Sequence, residues 1–295
     1  MPLASGKIVR EAWEQGYAVP AFSVHSADMV DGVLEEAELL EAPVLLQIGQ
    51  RVIRNGQMPY LIDHIERVAA TCAIPVCIHL DHCHEVSQIV QALRAGVTSC
   101  MIDASTLSFE QNVAMTFQVV ELCHFVGIPV EGELGTISGV EDDVSVAEGA
   151  AASTDPGVAA EYVARTGVDS LAVAIGSAHG MYKREPKLDL GRLQEIRDAV
   201  SVPLVLHGGS GIPVEAIHAA VGLGIAKINF DTELRIAFVA GMREAAERYG
   251  DDPFTVLQEA KARLRATVRE KIGFCAAAHQ VSASVGTAIK GEGLS

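Results

Sequence analysis

The chain has 295 residues, 49% of them hydrophobic but only 5% aromatic, and a formal net charge of −16. An acidic balance of that size argues against a nucleic-acid partner, which needs a basic face, and no apolar stretch reaches the roughly 20 residues of a membrane span. The start, MPLASGKIVREAWEQG, lacks the basic-then-apolar pattern of a secretion signal, and the six cysteines form no CxxC pair, so free thiols in a reducing cytoplasm are expected.

Apolar, β-branched runs alternate with stretches of helical period. Residues 19–24 (VPAFSV) read as a strand. Residues 27–41 read as a helix, with Met29, Val30, Val33, Ala37 and Leu40 at three- and four-residue spacings. Further strands are expected at 43–48, 74–80, 99–103, 128–134, 170–175, 202–207 and 226–230. Helices are expected at 59–71, 85–95, 107–126, 158–166, 189–199, 213–222 and 232–249, with Pro213 suited to a first helical position. Eight strand–helix units in strict alternation, with no linker between halves, predict a (β/α)8 TIM barrel rather than a doubly wound open sheet. One domain is expected over 1–295, its core built from Ala, Val, Leu and Ile as in other buried parallel sheets. Residues 135–154 break the rhythm, and a loop that long in a compact domain is usually functional. A C-terminal extension, about 252–295, holds one amphipathic helix (about 254–272) and then GTAIKGEGLS, which should fray.

Three histidines each close a short apolar run: His82 in PVCIHLDH, His179 in LAVAIGSAH and His207 in VPLVLHGGSG. Three imidazoles with one open position are what a catalytic zinc site requires. Active sites of this barrel lie at the C-terminal ends of its strands. Asp81, His82, Glu133, His179, His207, Asn229, Asp231 and Thr232 all fall there, whereas the opposite rim holds mostly Pro and Gly turns. Asp81 is the candidate general base. An isolated Asp-His pair would be a weak signal; the coincidence with two more strand-end histidines gives it weight. His79, His84, His124 and His218 read as structural or surface residues, His84 being the rival ligand. Gly208-Gly209-Ser210-Gly211 reads as an anion cradle, because glycines let backbone N–H groups turn inward. Asn229, Asp231 and Thr232 add side-chain partners at the next strand end, although Asp231 or Thr232 can equally cap the following helix. Arg235, one turn on, is a candidate second phosphate contact. Lys227 precedes the rim, and the run Val173-Ala174-Ile175 offers no amine, which argues against a lysine-imine mechanism.

The motifs HLDHC, VEGELGTISGVEDD, TGVDSLAVAIGSAHGMYKREPKLD, LVLHGGSGIP and KINFDTELR resemble those of the class II, metal-dependent ketose-bisphosphate aldolases, in the right order from about residue 18 to 245. The resemblance implies zinc on His82, His179 and His207, with Glu133 nearby as a secondary ligand. Asp81 would act on the C4 hydroxyl, and Glu141 in the acidic loop would move a proton at C3. Gly180, Gly208, Gly209 and Ser210, with Asn229 to Thr232, would hold one phosphate and a monovalent cation (Na+ or K+). Asn229 would also touch the triose part. The substrates implied are a phosphorylated ketose and triose phosphates, in a homodimer or homotetramer. In the family, Asp231 with Arg235 goes with fructose 1,6-bisphosphate, and Ala at the first position with tagatose 1,6-bisphosphate. Three places depart from the pattern: AFSVHS (Ser23, His25), Gly49 where a serine is common, and FCAAAHQ over 274–280. Two rivals fare worse. A metal-dependent hydrolase usually places an HxH pair on the first strand, which here has only His25. A non-catalytic partner subunit should have lost metal ligands, and this chain keeps all three.

Overall fold

The computed structural model describes residues 3–136, 138–141, 144–146, 153–180, 182 and 186–277; the side chains of 138–141 and 144–146 lie outside the description. Its strands in chain order are β1 (Val19–Ser23), β2 (Val44–Ile48), β3 (Val76–Cys83), β4 (Ser99–Ile102), β5 (Val130–Leu134), β6 (Ser138–Glu141), β7 (Val144–Val146), β8 (Ser170–Val173), β9 (Ala178–His179), β10 (Leu204–Leu206) and β11 (Ile225–Phe230). Eight of them close a parallel barrel in the order β1-β11-β10-β8-β5-β4-β3-β2. This is the expected (β/α)8 TIM barrel, and each expected strand run overlaps one barrel strand, with β3 running three residues further and β11 starting one residue earlier than expected. Every barrel strand is buried along its whole length, which is why these segments read as continuous apolar runs rather than alternating ones.

The helices are α1 (Ile8–Gln15), α2 (Ala27–Leu39), α3 (Gln50–Arg54), α4 (Met58–Ala69), α5 (Val86–Ala95), α6 (Phe109–Phe125), α7 (Pro156–Thr166), α8 (Leu190–Ala199), α9 (Val214–Gly222), α10 (Thr232–Tyr249) and α11 (Pro253–Phe274). Their starts follow local chemistry. Ser26 accepts from Met29 N, Ser108 forms a capping box with Gln111, and Asp155, Asp189 and Asp252 cap α7, α8 and α11. Pro213 sits one position earlier than expected, at the N-cap of α9. Two helices were not anticipated. α1 packs Ile8, Val9 and Ala12 into the core, and the short α3 follows Gly49 at the mouth. The segment after β5 also carries more order than its composition suggested. β6 pairs antiparallel with β7 and parallel with β9, so a three-stranded sheet stands over the barrel.

The C-terminal helix is longer than expected and belongs to the body of the protein. Buried Glu36 of α2 accepts from Arg265 and Arg269 of α11, and Gly241 of α10 lies where an added Cβ would meet Ala260 Cα at 2.8 Å. Residues 278–280 of the FCAAAHQ segment and the 286–295 tail lie outside the described residues. Among the described residues, no helix is long and apolar enough to cross a membrane.

All six cysteines are free and buried. Burial raises the Cys77 thiol to about 12 and Cys83 to about 11. A thiol reagent at neutral pH is therefore expected to modify none of the six rapidly in the folded protein and all six after denaturation. A fast-reacting thiol in the native state would show that these strands are packed otherwise.

Candidate active site

The strand ends bring three imidazoles together. His82 is the penultimate residue of β3, His179 lies in β9 and His207 follows β10. Their ring centroids are 4.7 Å (His82–His207), 5.2 Å (His82–His179) and 5.9 Å (His179–His207) apart. Each ring offers one nitrogen, and the three nitrogens lie within 4.8 Å of one another. Nε2 of His82, Nδ1 of His179 and Nδ1 of His207 are buried atoms that make no hydrogen bond. Such atoms are rare in a folded interior unless something else uses their lone pairs. Zinc, with nitrogen ligands at about 2.0–2.1 Å and one position left open, suits this donor set. His82 also belongs to a second group with Asp103 and Glu133.

Electrostatics fit a cation in the same place. Burial drives His207 down to about 4, against the pull of Glu131, and holds His179 well below its ordinary value. Burial opposes charge on His82 too, but Asp81, the Asp103 hydrogen bond and Glu133 outweigh it and hold that ring at about 10. Two rings are thereby neutral, as ligands must be. The acids around the third retain one positive charge, which a divalent ion can supply in place of the proton. Burial, then the nearby Asp103, raises the Glu133 carboxyl well above its usual range.

A carboxylate holds each of two rings from behind. Asp103 Oδ2 is 3.0 Å from His82 Nδ1, and Ser105 donates to the same carboxylate. Glu131 Oε1 is 2.8 Å from His207 Nε2. These contacts select the tautomer that turns the opposite nitrogen toward the cluster.

Asp81 and His82 are consecutive, and consecutive strand residues normally face opposite ways. Here His82 has φ of 44°, in the left-handed region, and the β3–β4 register shifts between Leu80 and Cys83. This break lets both side chains reach the mouth. A non-glycine residue in that region carries strain of about 1–3 kcal/mol, which is typically found at functional sites. Asp81 Oδ1 accepts from Gln47 Nε2 at 2.7 Å and from Asn229 Nδ2 at 3.3 Å, which fixes the carboxylate beside the histidines.

The cradle forms next to them. His179, Gly180, Gly208, Ser210, Asn229, Asp231 and Thr232 line one small cavity. Gly209 does not join it, because its N–H donates to Asn229 O and its Cα faces Ile228 and Phe230. Asp231 precedes α10 without a side-chain cap; its carboxylate instead binds Arg235 Nε at 2.8 and 2.9 Å and His25 Nε2 at 2.9 Å. Arg235 therefore lies outside the cradle. It lines a neighbouring cavity of about 660 Å³ with His25, Arg51 and an apolar wall of Met29, Val52, Phe238, Val239 and Met242.

His79, His84, His124 and His218 do not join the cluster. His79 is buried below it and bonds Ser99, His84 bonds Asp103 O, His124 bonds Asp169 at the surface, and His218 is exposed. Sequence reading missed Asp103, Glu131 and Gln47, and gave Lys227 no role of its own. Asp103 and Gln47 sit at or near C-terminal strand ends, the one signal that could have found them, whereas Glu131 is the second residue of β5. Glu141 has its backbone in β6, whose Gly139 is in register with His179; its side chain lies outside the described residues.

Comparison with known proteins gives the following. The family model "Fructose-bisphosphate aldolase class-II" matches residues 4–280. A sulfofructosephosphate aldolase of Alkalicoccus urumqiensis is 44% identical over 248 residues, 84% of this chain and 86% of that protein. Among solved structures, the YdjI aldolase of Escherichia coli K12 is similar with TM-score 0.85 and 36% identity, over 95% of this chain and 99% of that one. A fructose-bisphosphate aldolase of Campylobacter jejuni, at TM-score 0.78 and 24% identity over 95% and 97%, shares the fold.

Gly208 ties cradle to cluster. Its φ is 67°, and an added Cβ would lie 2.2 Å from the carbonyl oxygen of Ala178, the residue before His179. Tyr182 bridges the same two segments, accepting from Ala178 N and donating to Gly208 O. Gly208→Ala is expected to destabilise the fold by about 1–2 kcal/mol through the left-handed backbone alone. It should also weaken zinc binding by about tenfold or more through displacement of His179. Thermal unfolding and chelator competition check both; unchanged zinc affinity would mean that β9 is not held this way.

Proposed function

Because this chain belongs to the class II fructose-bisphosphate aldolase family, we propose that it cleaves a ketose phosphate reversibly, giving dihydroxyacetone phosphate and an aldehyde, with His82, His179 and His207 as zinc ligands and Asp81 as general base. The observation that carries this reading is the convergence of three buried, mutually facing ring nitrogens next to a carboxylate fixed by Gln47 and Asn229. When bound, the divalent ion would supply a Lewis acid at the C2 oxygen.

The chain's own residues account for the rest. Asp81 takes the proton of the C4 hydroxyl as the C3–C4 bond breaks. C4 becomes the aldehyde carbon, and the bonding pair moves toward C2 and its oxygen. A proton returned to C3 completes the triose; the family resemblance gives that task to Glu141, whose strand runs beside β9. The cradle of Gly180, Gly208, Ser210, Asn229, Asp231 and Thr232 would hold the C1 phosphate, with N–H groups directed at the anion. A monovalent cation there and a homo-oligomeric assembly rest on the same resemblance. Lys227 is fully buried against Glu131, so no substrate carbonyl can reach it for an imine.

Fructose 1,6-bisphosphate is the sugar expected from Asp231 and Arg235. A second reading, a fructose phosphate bearing a sulfo group at the far end, is favoured by two observations. The relative at 44% identity is named for that substrate. The cavity that would receive the far end has Arg51, Arg235 and His25 on a largely apolar wall. A sulfonate carries one charge and is less strongly hydrated than a phosphate dianion, so it asks for fewer cations and tolerates more apolar surface.

An assay of triose phosphate release tests both levels. Release is expected from at least one ketose phosphate and should stop when EDTA removes the metal; full cleavage in EDTA would exclude the mechanism. Among sulfofructose phosphate, fructose 1,6-bisphosphate and tagatose 1,6-bisphosphate, the highest kcat/KM is expected for the first, and a preference for either bisphosphate would overturn the second reading. Asp81→Ala is expected to lower kcat by about 10²–10⁴-fold with zinc retained. Loss of zinc instead would mean that Asp81 acts on the metal.

A further inference from the structure

Inside the barrel, beneath the histidines, lies an ion pair for which the reaction has no direct use. Nζ of Lys227 on β11 is 2.8 Å from Oε2 of Glu131 on β5, and both residues are buried. These strands are not neighbours, since β10 and β8 stand between them. The contact therefore crosses the barrel interior. The other carboxylate oxygen of Glu131 meets Nε2 of His207 at 2.8 Å, while Nδ1 of that ring makes no hydrogen bond.

A neutral imidazole has one N–H and one lone pair, and its neighbours decide which nitrogen carries which. An ionised carboxylate only accepts, so it demands a proton on Nε2 and leaves the lone pair on Nδ1. Lys227 Nζ holds the second oxygen of that carboxylate at 2.8 Å, so the first oxygen stays fixed beneath Nε2 of the ring. Folding by itself has little need of such a pair, because apolar replacement of buried ion pairs is often neutral or stabilising.

We propose that Lys227 is a positioning residue for the metal centre: acting through Glu131 across the barrel, it holds the His207 ring with Nε2–H inward and Nδ1 aimed at the site shared with His82 and His179. The proposal rests on the three-histidine metal site, so that site is tested separately. His179→Ala is expected to lose tight zinc in a chelator competition. Wild-type affinity in that variant would overturn the site itself, whatever Lys227 does.

Lys227→Met is expected to bind zinc about 10–100-fold more weakly than wild type and to shift the visible absorption of the cobalt-substituted protein. That variant strands a buried carboxylate, so the double variant Glu131→Gln, Lys227→Met is measured beside it. The double variant leaves no unpaired charge, but its amide can turn either oxygen or nitrogen toward His207, so the tautomer is no longer held and the same loss is expected. Zinc affinity within about twofold of wild type in the double variant would overturn the proposal. Long-range proton–nitrogen spectra of the zinc-loaded wild type give a direct reading without any substitution. They should show His207 protonated at Nε2; a proton on Nδ1 would overturn the proposal equally.

Discussion

The structure turns on gathering three buried imidazole nitrogens close together at the mouth of the barrel. Water would satisfy them and hydrogen bonds would occupy them. The barrel excludes the first by burying His207 completely and His82 nearly so. It prevents the second by giving the rear nitrogens of His82 and His207 their own carboxylates, Asp103 and Glu131. Such a cluster is unfavourable by itself, since each unsatisfied buried polar atom costs about 1–3 kcal/mol. A metal-binding function explains why the cost is tolerated.

Several features of the fold serve that arrangement. The left-handed turn at His82 breaks strand alternation at the one place where two consecutive side chains must share the mouth. β9 exists because β6 pairs with it, and that pairing sets His179 opposite the β10 end. The loop that looked irregular in composition thus supplies the edge on which His179 rests, and it places the backbone of Glu141 two residues beyond the register partner of His179. Across the barrel, Lys227 and Glu131 form an ion pair beneath the cluster, beside buried His79 and Ser99.

The distal cavity shows how a family scaffold is retuned at its edges. Asp231 lies between cradle and cavity, with one face toward Ser210 and Thr232 and a carboxylate shared by His25 and Arg235. His25 and Arg235 hold the Asp231 carboxylate between them. In the proposed reading, selection among ketose phosphates falls to residues outside the histidine cluster.

The sequence alone determined the barrel, the order of its strands and the residues at its mouth. Hydrophobic periodicity and strand length are local properties, and the fold's rule that strand ends carry the chemistry converts them into a site. His82, His179, His207 and Asp81 were legible for that reason, and so were most of the cradle residues. Tertiary structure alone decided the rest. Asp103, Glu131 and Lys227 acquire meaning only when strands distant in sequence meet inside the barrel. Gly209 turned toward the core and Arg235 turned into the next cavity because hydrogen bonds at 3.0 Å to Asn229 O and at 2.8–2.9 Å to Asp231 fixed their directions. A linear pattern records which residue stands at a strand end, but the direction of its side chain is set by backbone torsion, register and packing against partners far away in the chain.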